Sequence, residues 1–386
     1  MERSHMAKRI FVTGATGAVG STLVPLLLEE ADNFVWLLIR AESSEHLKIR
    51  LEALFLFWNL DKEQEVSARN RVIALQGDAD LEKFGVSESV YAEVSSQCTH
   101  IIHCAGVVRM NLPLEVARQH ALGSAKNVIE LALACQASGN LQKVEYVSTV
   151  GVAGRMSGIV PETWITQPRS FHNTYEQSKA EAEDYLHQQI ELYNLPITVH
   201  RPSMVVGDSK TGKIIHFQIF YYLCEFISGA KTHGLLPHLK DATLDTVPVD
   251  YVARAIQWSA NQPTLTTNKI LHLCSGPHLS MQLTHLQTLV RDKMREFDTP
   301  LPAVIAVPSV FFTFLLRAMM PIVSHTTLRQ LKAVPIFLDY LADRQIFGND
   351  KTADLFLVNT GPSLPPVKNS LEVAIACYLQ SKSNKN

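Results

Sequence analysis

The segment Thr13-Gly14-Ala15-Thr16-Gly17-Ala18-Val19-Gly20 follows the short apolar run Lys8–Thr13 and precedes Leu23–Glu30, which carries helical spacing. Strand, glycine turn and helix in that order form the first half of a βαβ unit, and few local patterns restrict a fold more. Gly14 permits a tight turn, and Gly17 lets backbone amides approach a pyrophosphate. Gly20 lets the helix pack closely on the sheet, with its positive N-terminal end toward the phosphates. Thr13, Thr16, Ala18 and Val19 complete the expected cofactor-binding loop.

The alternation continues with apolar strands near 34–39, 72–76, 100–104, 143–147 and 197–200, separated by helical patterns near 45–58, 88–97, 114–138 and 174–193. This pattern predicts an α/β fold, a Rossmann-type doubly wound parallel sheet. From about 210 onward the pattern turns mainly helical, with one more strand at Ile270–Leu273. A chain of 386 residues has room for one large core and a smaller lobe. The expected division is a cofactor-binding Rossmann domain over 7–210, with returning segments near 243–275. A smaller, mainly helical C-terminal substrate-binding subdomain takes 211–242 and 276–386, and Met1–Met6 reads as an expression-vector remnant.

A net charge of -2 without a dense Lys/Arg cluster gives no reason to expect a nucleic-acid partner. The six cysteines, Cys98, Cys104, Cys135, Cys224, Cys274 and Cys377, are scattered and lack His partners at metal-ligand spacing. They read as buried thiols of a cytoplasmic protein, with no metal expected. Leu301–Leu316 is uncharged, but it is only 16 residues long and is interrupted by Pro302 and Pro308. A spanning helix needs about 20 residues, so a buried helix pair or a greasy substrate channel is expected ahead of a transient membrane contact. Ile214–Ile227, with Phe217, Phe220, Tyr221, Tyr222 and Phe226, reads as core packing ahead of an acyl tunnel.

The second strand ends at Arg40, where an NAD-preferring chain usually places an acid for the ribose 2′-hydroxyl; an arginine suits a 2′-phosphate and predicts NADPH (NADP+). Arg50 either assists or is a solvated helix charge. Gly77-Asp78 is placed to hydrogen-bond the adenine, although Asp78 also fits a helix cap. Cys104-Ala105-Gly106 offers small residues against which a cofactor can lie.

Tyr175-Glu-Gln-Ser-Lys179 sets tyrosine and lysine one helical turn apart, so that one ammonium reaches both the phenol and a cofactor ribose. A phenol with its ordinary pKa near 10 is a poor acid or base, and a neighbouring Lys⁺ is expected to stabilise its phenolate. Thr149, at the end of the fifth strand, either presents a hydroxyl to the same carbonyl oxygen or makes a strand-end hydrogen bond. These three residues are the expected catalytic set.

Taken together, Thr-Gly-x-x-Gly-x-x-Gly, Gly77-Asp78, His103-Cys-Ala-Gly106, Ser148-Thr149-Val150, Tyr175-x-x-x-Lys179 and Arg201-Pro202 resemble the extended short-chain dehydrogenase/reductase family over about residues 8–275. His103–Arg109, Pro113–Glu115, Gly123–Asn127, Val147–Gly154 and Asp245–Val252 resemble its branch of fatty acyl-CoA reductases and thioester-reductase domains. The resemblance implies hydride transfer from NADPH to an acyl thioester, on CoA or an acyl carrier protein, giving an aldehyde and then an alcohol if a second hydride follows. It gives Thr149 and Tyr175 to the oxyanion and Lys179 to the ribose. Val147, Arg201, Pro202, Ser203 and Val205 join the cofactor-binding residues, with Pro202 on the nicotinamide side. His120 stands where the family often has Asn and reads as a structural helix residue. Two other readings stay open: the same set acting on a free ketone, aldehyde or alcohol (sterol-like, flavonoid-like or sugar-nucleotide), and a redox sensor that holds NADP without turnover.

Overall fold

Arg9–Thr13 and Phe34–Ile39 are near-continuous apolar runs, as expected of parallel strands covered on both faces. In the computed structural model, which describes residues 7–239, 242–308, 310–312, 314 and 345–384, they pair in register, with Val12 opposite Leu37. The main sheet has seven strands: β1 (Arg9–Thr13), β2 (Phe34–Ile39), β3 (Val72–Gln76), β4 (His100–His103), β5 (Lys143–Val147), β6 (Ile197–Pro202) and β7 (Ile270–Leu273). Their order is β3-β2-β1-β4-β5-β6-β7, and all neighbours are parallel. The chain reverses its direction of progress between β3 and β4, which leaves a crevice beyond the carboxyl ends of β1 and β4, the place where such sheets bind ligands.

Alternate strand residues feed two cores. Ile10, Val12, Leu37 and Ile102 pack with helices Ala18–Leu27 and Val249–Ala260 on one face. Phe11, Trp36, Leu38, Ile101 and Val144 pack with helices Ser124–Ala137 and Thr174–Tyr193 on the other. A third cluster, built on helices Ile219–Ile227, Leu283–Glu296 and Val367–Ser383, lies in the C-terminal half.

Strand β5 is less apolar than expected: Lys143 and Glu145 are buried. Lys143 donates to Thr198 Oγ1 at 2.6 Å and Thr266 Oγ1 at 2.8 Å, and Glu145 Oε2 pairs with His200 Nε2 at 2.6 Å. The 114–138 helix is also not continuous. Leu114–Arg118 and Ser124–Ala137 flank one turn of wider π-helix at Gln119–Gly123, where Ser124 Oγ donates to the carbonyls of His120 (2.6 Å) and Ala121 (3.1 Å). Such back-bonding competes with the regular helical ladder.

Two apolar segments resolve differently from each other. Phe220, Tyr221 and Phe226 are buried in the C-terminal cluster, and the Tyr221 ring lies 5.0 Å from that of Tyr378, so core packing accounts for this helix. Within Leu301–Leu316, Ile305–Val307 is a strand paired with Leu235–Pro237, while Ile305, Val310, Phe311 and Phe314 are exposed. A buried helix pair is therefore not what the described part shows, because Pro302 and Pro308 break the helix that such a pair needs. Met1–Met6 and residues 309, 313 and 315–344 lie outside the described residues. Among the described residues, no helix is long and apolar enough to cross a membrane.

Arg201, at the end of β6, is fully buried, and its guanidinium meets Glu183 of the helix Thr174–Tyr193 at 2.5 and 3.0 Å and the Thr163 carbonyl at 3.0 Å. Its donors are thus turned onto that helix and the loop before it. Glu183→Ala is expected to destabilise the fold by about 3–5 kcal/mol, because an uncompensated buried cation remains. Urea unfolding with an unchanged m-value checks this, and a Glu183→Leu/Arg201→Met pair should recover much of the loss.

Candidate active site

The loop after β1 is shaped by close contacts. Gly14 has φ +73°, and a Cβ on it would fall 2.4 Å from the Ala105 nitrogen, so the turn is pressed against the end of β4. A Cβ on Gly20 would fall 2.3 Å from the Gly14 carbonyl oxygen, which explains why the helix lies so near the turn. The Thr13 hydroxyl is committed to the scaffold, pairing with His103 Nδ1 at 2.8 Å and accepting from the Ala105 nitrogen at 3.3 Å. Gly17 caps helix Ala18–Leu27 with no side-chain bond, and no acid occupies the first turn. The Ala18, Val19 and Gly20 amides therefore belong to an N-terminus suited to an anion. A cradle that side chains would fill, ending on free amides, fits a dinucleotide pyrophosphate.

Arg50 joins this loop to the end of β2: it donates to Thr16 Oγ1 at 3.0 Å and to the Arg40 carbonyl at 2.5 Å. Of its two readings, the one that puts it at the cleft matches this geometry. Asp78 does something the sequence did not suggest. Its carboxylate grips Arg40 at 2.7 and 2.9 Å, and Asp80 stands 3.6 Å from the same guanidinium. Asp78 thus braces an exposed arginine, while Gly77 is pressed beneath the Phe84 carbonyl.

Tyr175 and Lys179 lie on a helix whose first turn is capped by Asn173, its side chain accepting from the Glu176 nitrogen at 3.0 Å. Lys179 Nζ is buried, donates to the Val147 carbonyl at 3.1 Å and sits 5.3 Å from the Tyr146 ring centroid. A Cβ on Gly106 would be 3.8 Å from the same nitrogen, so the ends of β4 and β5 meet at this ammonium. Thr149 Oγ1 accepts from the Gly151 nitrogen at 3.1 Å, the strand-end bond, and also hydrogen-bonds Tyr175.

Burial pushes the Tyr175 phenol up to about 12, only partly offset by the Thr149 bond. Burial thus opposes the phenolate that the neighbouring lysine is expected to stabilise. Burial also lowers Lys179 to about 8, with Glu183 and Cys104 pulling the other way. The Cys104 thiol is pushed up to about 12 by burial, so it packs and does not react. Pro202 is buried against Leu273, with Ser203 and Val205 half-buried just beyond it.

His120, which the sequence reads as a structural helix residue, stands beside this set. His120 lines a small cavity with Gly106, Tyr175, Ser178 and Lys179, and its Nδ1 lies 2.5 Å from Asp80 Oδ2. No periodicity marks it, because the π-turn shifts it out of the helical pattern.

Gly14→Ala should abolish cofactor binding, since the new methyl meets backbone that cannot yield; fluorescence titration with NADPH against the parent reads this. A lysine lowered to about 8 loses its proton well before an ordinary one at 10.5. Reduction that depends on the ammonium should therefore decline as pH rises through about 8, and Lys179→Met should give a slow, flat profile in steady-state assays.

Residues 12–256 match the family described as male sterility protein, an NAD-binding family. The chain is 27% identical over 317 residues to the nonribosomal peptide synthetase asaC of Aspergillus flavus, covering 77% of this chain and 28% of that one. It is 28% identical over 287 residues to the L-2-aminoadipate reductase of Schizosaccharomyces pombe, covering 70% of this chain and 19% of that one. The chain thus spans less than a third of either relative's length. The terminal R domain from the myxalamid PKS-NRPS pathway shares the fold with TM-score 0.78 and 24% identity, over 99% of this chain and 92% of that one. On the match across β1 to helix Val249–Ala260, the chain belongs to the NAD-binding male sterility protein family of extended short-chain dehydrogenase/reductase oxidoreductases, which use a nicotinamide cofactor.

Proposed function

We propose that this chain reduces an acyl thioester, carried on CoA or an acyl carrier protein, to an aldehyde with NADPH, and that Thr149, Tyr175 and Lys179 perform the proton chemistry. The observation that carries the proposal is the placement of the Tyr175 phenol, bonded to Thr149 and one helical turn from the buried Lys179. When bound, the reduced nicotinamide supplies a hydride to the carbonyl carbon. Thr149 and Tyr175 donate hydrogen bonds to the oxygen as negative charge develops, a contribution worth roughly 3–4 kcal/mol per well-placed donor. Lys179 holds the ribose and keeps positive charge beside the phenol. Loss of the thiol from the resulting hemithioacetal leaves the aldehyde, and a second round gives an alcohol.

The Gly14–Gly20 loop holds the pyrophosphate, and Arg40 and Arg50 favour a 2′-phosphate. Pro202, Ser203, Val205 and Val147 lie along the nicotinamide side. The cluster around helices Ile219–Ile227, Leu283–Glu296 and Val367–Ser383 forms the substrate-selecting lobe. The named relatives, a peptide synthetase and an aminoadipate reductase, support a reductase that receives an acyl group from larger machinery. Six free thiols, four of them buried, suit a cytoplasmic setting.

NADPH consumption at 340 nm with acyl-CoAs and acyl-pantetheines, run beside free aldehydes, ketones and sterols, tests the reading. Thioester-dependent oxidation with thiol release supports it, whereas activity confined to free carbonyls overturns it. Tyr175→Phe and Thr149→Ala should each lower kcat by roughly 100-fold or more while leaving NADPH affinity unchanged. Arg40→Ala should weaken NADPH binding by about tenfold and NADH binding far less, as read by paired titrations.

A further inference from the structure

Among the residues lining the small cavity beside the catalytic helix, three are titratable: His120, Tyr175 and Lys179. The cavity has room for about one water. Lys179 is buried, whereas a quarter of the His120 side chain, 25%, reaches solvent. Tyr175 is half-buried as well, so His120 and Tyr175 both touch the cavity and the outside, and Lys179 does not.

Its placement is built rather than incidental. The π-turn at Gln119–Gly123 interrupts two α-helical segments where His120 faces the cavity, and such turns concentrate at functional sites. Asp80 Oδ2 holds Nδ1 at 2.5 Å, which leaves Nε2 for the cavity. The Asp80 loop is in turn fixed by Asn127 of the same helix, which donates to the carbonyls on either side of it, Ala79 and Leu81, both at 2.8 Å. The other charged groups around His120 are mutually engaged. Arg118 pairs with Glu115 and Glu181 at 2.8 and 2.7 Å, and Arg40 pairs with Asp78 at 2.7 Å. No pair of that kind satisfies Lys179 across the cavity; its hydrogen bond goes to the Val147 carbonyl.

We propose that His120, oriented by Asp80, is a positioning residue that relays protons from solvent through the cavity to Lys179 and so to Tyr175. This rests on the reading of the chain as a carbonyl reductase, but not on the carbonyl being a thioester. Each carbonyl reduced takes up one proton with its hydride, the reductant being the reduced nicotinamide. The carbonyl oxygen takes the Tyr175 proton, the phenolate takes one from the Lys179 ammonium, the amine takes one from the His120 imidazolium, and the imidazole takes one from water. An imidazole, with two ring nitrogens, can both give and recover that proton.

The test uses the full chain with His120→Ala, His120→Gln and Asp80→Asn. Each should lower kcat by roughly tenfold, less than the loss of a directly acting acid. In the two His120 variants KM for NADPH and Tm should stay the same, and added imidazole should restore His120→Ala toward the parent rate. An independent readout is the His120 side-chain NMR titration without cofactor: Asp80→Asn should move its midpoint down and Lys179→Met should move it up. Parent-like kcat and pH profiles in all three variants overturn the proposal, as does a midpoint indifferent to Lys179→Met. If no carbonyl is turned over by the parent, the reductase reading fails by itself, while the titration still decides whether His120 and Lys179 share the cavity.

Discussion

The Glu183–Arg201 ion pair, buried at 2.5 Å, fixes the helix on which the chemistry depends. Tyr175, Lys179 and Glu183 follow one another at intervals of four residues, so they form a single stripe along that helix. Clamping Glu183 to the end of β6 sets the axial position of the two residues above it, and Lys179 then reaches the Val147 carbonyl at the end of β5. The same carboxylate raises the Lys179 pKa against the lowering effect of burial. One acid thus serves as mechanical anchor and as counter-charge.

A second chain of contacts runs across the sheet from the glycine loop to the same lysine. Thr13 bonds His103 at 2.8 Å, the His103 ring stacks on Tyr146 at 4.8 Å, and Lys179 lies 5.3 Å from the Tyr146 ring centroid. Burial lowers His103 to about 3, so it remains a neutral spacer beside an ammonium. The cofactor loop and the catalytic helix are therefore referred to one rigid stack of side chains. This matters because a displacement of about 1 Å at a reacting centre can cost two orders of magnitude in rate.

What the sequence made legible was whatever has a period or a fixed spacing. Parallel strands read as apolar runs, the glycines fall at required intervals, and Tyr175 and Lys179 sit one turn apart. What it hid was the choice of partner. Arg201 at a strand end and Arg40 at another look alike in sequence, yet one is buried on Glu183 and the other is braced at the cleft by Asp78. Lys143 and Glu145 interrupt an otherwise apolar strand with no local sign that Thr198, Thr266 and His200 would pair with them. His120 was hidden for a different reason: a π-turn breaks the 3.6-residue period by which a face is read.

The C-terminal half escaped for a third reason, which bears on specificity. Its core joins segments far apart in the chain, and Ala18, the first residue of the cofactor-loop helix, belongs to it, as does Val206 just beyond β6. The C-terminal cluster therefore packs directly on the helix that follows the glycine loop. Residues 12–256 carry the family match, while the helices Leu283–Glu296 and Val367–Ser383 that close the cluster lie beyond it. Substitutions on those helices act on this cluster, and Ala18 and Val206 are where it meets the glycine-loop helix and the end of β6, the strand whose Arg201 clamps Glu183.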